Sequence, residues 1–237
     1  MLSWDGYLNC RDLGGLPASH GFTVVGRVSR GPRRELLTPA GWQDARAWGL
    51  RTVVDLRCAN EVGRRPADPA VTQGDLSGIT VIHVPTEDHS DEEFRRVCFP
   101  ILDSPEYWSH NLRILPGMVR SCLETIATAP HGILIHCSAG RDRTGMITAL
   151  LLANAGVPAQ VIADDYAESV RVMTRADSNA PTIDRQAGWS DAEVSSWLAE
   201  VRPLVVDFVA HLEQHVEQIG LDRGTRARLR DLLLVPA

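Results

Sequence analysis

Lysine is missing from this chain; all 24 of its basic side chains are arginine. The absence is read as a habit of composition, not of function. Cysteine is sparse: Cys10, Cys58, Cys98, Cys122 and Cys137 are odd in number and show no C-x-x-C spacing. A disulfide framework is therefore not expected, and a reducing compartment fits better. No basic segment followed by an apolar stretch stands at residues 1–12, so no signal peptide is expected. No apolar run approaches the roughly 18 residues of a membrane span. Together these make the cytoplasm the expected location, without integral membrane association. Basic charge is not in excess either. The formal net charge is −6, which makes nucleic acid a poor partner. The histidines show no H-E-x-x-H spacing, so neither a metal site nor a cofactor is expected.

What the chain has is a hydrophobic fraction of 44% over 237 residues, enough for one well-buried domain. Thr38-Pro39 before Ala40–Trp48, with Gly49 after, predicts a helix with an N-cap, a proline at its first position and a glycine stop. Leu50–Arg57, Ile79–Val84 and Gly132–Cys137 read as buried strands. The stretch Thr86–Leu115 is too long for a plain loop and is expected to hold helix and to lie over a site as a lid. Met118–Thr128 sets Met118, Val119, Cys122, Leu123 and Ile126 on one helical face. Thr144–Ala155 is an apolar helix stopped by Gly156, and another helix runs from Pro158 to about Ser169. Arg171–Gly188 is polar and irregular, and further helices follow from about residue 190. Alternating strands and helices predict an α/β fold with a mostly parallel sheet, whose ligands sit at the carboxyl ends of the strands.

The third strand ends at His136–Gly145, HCSAGRDRTG. Each residue there has a physical use in phosphoryl transfer. The backbone N–H groups of Ser138, Ala139, Gly140, Arg141, Asp142 and Arg143 form an anion nest at a helix N-terminus. Ala139 and Gly140 leave room for close approach. The same positive field favours a thiolate at Cys137, the nucleophile. Arg143 offers a planar fork to two phosphate oxygens and to the equatorial charge of the transition state. Thr144 is placed to give its hydroxyl to the sulfur as a leaving group. His136 fixes the loop by hydrogen bonds. The reaction expected is a two-step displacement through phosphocysteine.

The string HCSAGRDRTG resembles the signature of the cysteine-based protein tyrosine phosphatase superfamily. It is most similar to a bacterial atypical branch carrying HC-x-x-GKDRTG. NCRDLGGL at Asn9–Leu16 and VDLRCANEVGRRP at Val54–Pro66 are similar to two further motifs of that branch. The resemblance spans roughly residues 7–170, and the last third holds no recognisable motif. Arg141 stands where the branch usually has lysine; the charge is kept while reach and geometry differ, which bears on substrate preference. The resemblance implies a tyrosine-phosphatase-like fold, no metal, and phosphotyrosine protein, sometimes phosphoserine or phosphothreonine, or phosphoinositide as substrate. Inorganic phosphate is then product and inhibitor. Arg11 and Asp12 are expected to support the phosphate loop, and Arg57 and Glu61 to act structurally. Two general acids compete: Asp142 within the loop, and Asp88 after the second strand, where the superfamily often keeps a mobile acid.

The remaining features read more plainly. Trp42, Trp48, Trp108, Trp189 and Trp197 are taken as core or lid packing. Glu87, Asp91, Glu92 and Glu93 read as a solvated acidic loop. Cys58, at a strand end, is expected either as a small buried hydrophobe or as a thiol able to trap oxidised Cys137. Two rival functions remain at this point: a phosphate-binding pseudoenzyme and a rhodanese-type sulfurtransferase. Intact Cys137 and Arg143 disfavour the first, and the RTG continuation and the N-terminal motif disfavour the second.

Overall fold

The computed structural model describes residues 1–19, 21–175 and 186–235. Seven strands occur among them: β1 (Arg11–Asp12), β2 (Pro17–Ala18), β3 (Gly21–Phe22), β4 (Val28–Gly31), β5 (Thr52–Asp55), β6 (Thr80–His83) and β7 (Ile133–His136). β2 and β3 form a small separate hairpin. The main sheet has the order β1-β4-β7-β5-β6, parallel except for β1 at its edge.

β7 is the central strand, and its apolar sequence explains why. A strand covered on both faces must be hydrophobic at every position. Side chains alternate across the sheet. Ile133 and Ile135 join Val54 in the larger core cluster, and Leu134 joins Val53, Trp42 and Ala45 in the smaller one on the opposite face. The parallel register aligns Gly31, His136, Asp55 and His83 in one row at the carboxyl ends. The loops that follow β4, β5, β6 and β7 therefore emerge side by side.

The helices follow their local signals. α1 (Pro39–Trp48) starts at Thr38, whose hydroxyl accepts from Gly41 N at 3.0 Å, and ends at Gly49 with φ 109°. That left-handed cap is a conformation suited to glycine. The stretch after β6 holds α2 (Glu92–Cys98) and α3 (Tyr107–Ile114). α4 (Pro116–Thr128) buries Val119, Cys122, Leu123 and Ile126, with Met118 half-buried. α5 (Asp142–Asn154) buries every residue from Thr144 to Leu152, and the chain turns at Gly156.

α6 (Ala159–Thr174) is a turn longer than its sequence suggests, because Val170 and Met173 continue its buried face. The first part of the polar stretch Arg171–Gly188 is thus helical, and residues 176–185 lie outside the described residues. α7 (Asp191–Ala210) opens on a capping box between Ser190 and Glu193. α8 (Leu212–Ile219) and α9 (Arg223–Leu233) complete the chain. Phe208, Ile219, Leu229 and Leu233 belong to the same core cluster as Ile147 and Leu151 of α5, so the C-terminal helices are integral to the core. No helix of the described residues is long and apolar enough to cross a membrane.

Candidate active site

Between β7 and α5 the chain turns through residues 137–141, and its carbonyl groups are held from outside. The Cys137 carbonyl lies 3.0 Å from His136 Nδ1. The Ser138 carbonyl accepts from Arg33 N at 2.9 Å. The Ala139 carbonyl accepts from Asn9 Nδ2 at 3.0 Å, and the Gly140 carbonyl from Arg30 Nη2 at 2.7 Å. In a trans peptide the C=O and N–H point in opposite directions within one plane. Four carbonyls held outward therefore turn the N–H groups of Ser138, Ala139, Gly140 and Arg141 inward, toward the pocket. This is an anion nest feeding a helix N-terminus. Gly140 is required twice over. Its φ is +71°, and an added Cβ would lie 2.4 Å from the Gly31 backbone.

The donors that hold the loop are themselves fixed. Asn9 is a non-glycine residue at positive φ, 55°, a conformation that asparagine tolerates. Arg11 donates to Asn9 Oδ1 at 2.7 Å and to Asp165 Oδ1 at 2.5 Å. The fully buried Arg30 pairs with the other Asp165 oxygen. Burial lowers the Asp165 carboxyl's tolerance for charge, yet Arg11 and Arg30 hold it below the usual range. His136 is wholly buried, and desolvation draws it down to about 4 against the pull of Asp55, so it is neutral. Its Nδ1–H then donates to the Cys137 carbonyl.

Cys137 is 3% exposed and lines a cavity of about 180 Å³. Glu87, His89, Leu102, Asp103, Asp142 and Arg143 share that lining with the loop. Arg143 presents its fork to Glu61, with Nη2 to Oε1 at 2.8 Å and Nη1 to the other oxygen. Glu87 Oε2 stands 3.7 Å from Nη1. Burial works against both ions. Glu87 and Glu61 nonetheless keep Arg143 protonated well above the usual arginine value, and Arg143 holds Glu61 below the carboxylate range. His89 contacts Glu87 Oε2 at 3.0 Å and is raised to about 10 by hydrogen bonding with Cys58 and then Glu87. The pocket wall thus carries a second cation. Asp142 accepts from Tyr166 Oη at 3.0 Å and from Arg141 Nε at 3.1 Å.

A cysteine thiol, an N–H nest and an arginine fork meet here at the end of a central strand. The model of the tyrosine phosphatase family matches residues 2–235. The chain belongs to the tyrosine phosphatase family. Among its relatives, the triple specificity protein phosphatase PtpB of Mycobacterium tuberculosis is 26% identical over 251 residues, covering 88% of this chain and 91% of that protein. A tyrosine-protein phosphatase of Nostoc commune is 32% identical over 139 residues, 58% of this chain and 46% of that one. Among solved structures, the core catalytic domain of PP-IP phosphatase SIW14 from S. cerevisiae, in complex with citrate, matches 88% of this chain and 94% of its own with a TM-score of 0.40 and 14% identity. The family membership makes this chain a cysteine-dependent phosphatase.

Within the phosphatase, Cys137, Ser138, Ala139, Arg141, Asp142 and Arg143 line one pocket. Thr144 is buried in the first turn of α5, and its hydroxyl finds no hydrogen-bond partner among the described residues, the Cys137 sulfur included. Arg11 supports the loop through Asn9. Asp12 does not: its carboxylate accepts from Gly14 N, Gly26 N and Trp48 Nε1, so it ties the N-terminal turn to α1. Asp88 does not line the pocket either. Its carboxylate turns to Ser90, accepting from N at 2.8 Å and Oγ at 2.6 Å, which holds it below the usual carboxylate range. Arg57 is bound to Asp55 and Glu35, as a structural residue would be, whereas Glu61 reaches the pocket arginine. Trp42 and Trp108 are buried in the core, and Trp48, Trp189 and Trp197 are half-buried.

Sequence reasoning missed Asn9, Arg30 and Asp165 as loop supports and Glu87 and His89 as pocket wall. Asn9 stood within the NCRDLGGL motif and was the one of these that carried a signal.

Proposed function

We propose that this phosphatase hydrolyses phosphomonoesters through a phosphocysteine on Cys137, without a metal. The observation that carries the reading is the capture of four consecutive loop carbonyls, which leaves the next four N–H groups directed the opposite way and available to an anion. In the first step the sulfur attacks phosphorus, the S–P bond forms as the ester P–O bond breaks, and Asp142 gives its proton to the leaving oxygen. In the second step water gives a proton to the Asp142 carboxylate as its oxygen attacks phosphorus, and the S–P bond breaks to return phosphate and thiolate. The N–H nest and Arg143 stabilise the equatorial oxygens in both steps.

The position of Asp142 in the pocket lining, one residue from Arg143, supports it as the acid. Asp88 is disfavoured because its carboxylate is turned to Ser90 and is not among the pocket-lining residues. Thr144, on the first turn of α5, is proposed to donate to the departing thiolate once the loop holds an anion.

Phosphotyrosine in a protein is the substrate this pocket fits best. A nucleophile 3% exposed is reached by a long aryl phosphate, and Leu102 offers an apolar wall to the ring. The names of the relatives support a protein substrate, and a panel that includes phosphoinositide, phosphoserine and phosphothreonine should show phosphotyrosine turned over fastest. Inorganic phosphate is expected to compete as product.

The test is direct. Cys137→Ser should abolish turnover of p-nitrophenyl phosphate while retaining phosphate binding by calorimetry, and EDTA should not lower wild-type activity. An active serine variant, or strong inhibition by EDTA, would overturn the mechanism.

A further inference from the structure

We propose that Cys58, Glu87 and His89 form a binding site for a thiophilic divalent cation, zinc above all, in the wall of the phosphate pocket. Among the described residues these three bring one thiol, one carboxylate oxygen and one imidazole nitrogen within 4.8 Å of one another. The fold places them there. Asp55 and His83 are register partners at the ends of β5 and β6. Cys58 follows the first by three residues and Glu87 the second by four, so adjacent loops deliver both. Cys58 and Glu87 are buried, and His89 is half-buried.

The donor set is selective. Thiolate and imidazole favour zinc over magnesium or calcium, which prefer all-oxygen shells. Three protein ligands leave the fourth tetrahedral position open. Neighbours orient the ligands: Cys58 N donates to Glu61 Oε2 at 2.9 Å, and the ring of His89 stacks on Phe94 at 5.9 Å and 17°. Glu87 Oε2 already contacts His89 Nε2 at 3.0 Å, a separation that a metal between them would widen by a few tenths of an ångström.

The metal is inhibitory. Glu87 and His89 line the pocket with Cys137, and Glu87 also faces Arg143. A dication that recruits Glu87 takes that carboxylate from Arg143, and its open position captures phosphate or substrate oxygen beside the nucleophile. The inhibition rests on the phosphatase reading; the binding does not.

Chelator-treated full-length protein should be titrated with zinc against a chromophoric chelator. One zinc per chain is expected, with p-nitrophenyl phosphate turnover falling in proportion and returning on EDTA. Cys58→Ala should keep its metal-free turnover and bind zinc at least 10-fold more weakly, whereas Cys137→Ser should bind zinc as wild type does. Should Cys58→Ala fail to fold, cobalt added to Cys137→Ser serves instead: a thiolate-to-cobalt charge-transfer band is expected. Unchanged zinc affinity in Cys58→Ala, loss of zinc binding in Cys137→Ser, or a cobalt spectrum without that band would overturn the site. Binding without inhibition would overturn the inhibitory role alone.

Discussion

Arg143 is paired with Glu61 and Glu87 before any anion arrives. The pairing fixes the plane of the guanidinium, and in the proposed mechanism phosphate takes the N–H donors that Glu61 leaves. A lysine there keeps the charge and loses both the plane and the second donor. Arg143→Lys is expected to lower kcat and kcat/KM together, by roughly 100-fold or more, the range for removing one donor to a transition-state oxyanion. A lysine variant with near-wild-type kcat in steady-state assays would refute this. The acid is tested by its leaving group. Asp142→Asn should cost about 10²–10⁴-fold on phenyl phosphate, whose leaving oxygen needs a proton, and far less on p-nitrophenyl phosphate. It should also erase the alkaline limb of the kcat profile. Asp88→Asn should leave both substrates nearly unchanged, since that carboxylate serves Ser90. The reverse pattern would make Asp88 the acid.

At the scale of elements, the loop between β7 and α5 is held by a clamp drawn from β1, β4 and α6. Arg11 and Arg30 converge on Asp165, and their donors run on to Asn9 and the Gly140 carbonyl. Breaking a buried pair from one side strands the partner charge, at a cost of about 3–5 kcal/mol. Asp165→Asn is therefore expected to lose that much stability in urea unfolding and to lower kcat, because Gly140 loses its anchored donor. Unaltered stability would mean that the clamp is ornamental. Such clamps are hard to read from sequence. β7 and α5 were legible because their apolar runs are contiguous and the motif between them is unbroken. β4 was not: it is four residues long, one of them Arg30, and it becomes a strand by pairing between β1 and β7. Glu87 and His89 were hidden in an acidic segment that has the composition of a solvated loop. Only the alignment of β5 with β6 brings them beside Cys58.

Over the whole molecule, the row of strand ends makes stability depend on acid. His136 lies neutral and buried between Asp55 and the loop, at about 4 against an ordinary 6.5. Unfolding therefore takes up a proton wherever the pH lies between those values, and stability falls as the pH drops through that window. The loss amounts to roughly 3 kcal/mol by pH 4. Asp55 extends the trend. Burial opposes its charge, but Arg57 and His136 hold it at about 2, so its contribution is present above 3.8 and lost as pH falls toward 2. Denaturant unfolding at several pH values between 7 and 4 should show the decline, and His136→Asn should flatten it. A wild-type stability that does not change over that range would contradict the assignment.

One helix serves two ends. The first turn of α5 closes the anion nest, while Met146, Ile147, Ala149, Leu150, Leu151 and Leu152 after it belong to the larger core cluster. An oxyanion seated on the loop therefore favours the folded chain over the unfolded one, by about 2.7 kcal/mol at a concentration one hundred times its Kd. Melting temperature becomes a ligand assay that needs no turnover. It reads the affinity of intact phosphopeptides for the Cys137→Ser protein, which binds what it does not consume.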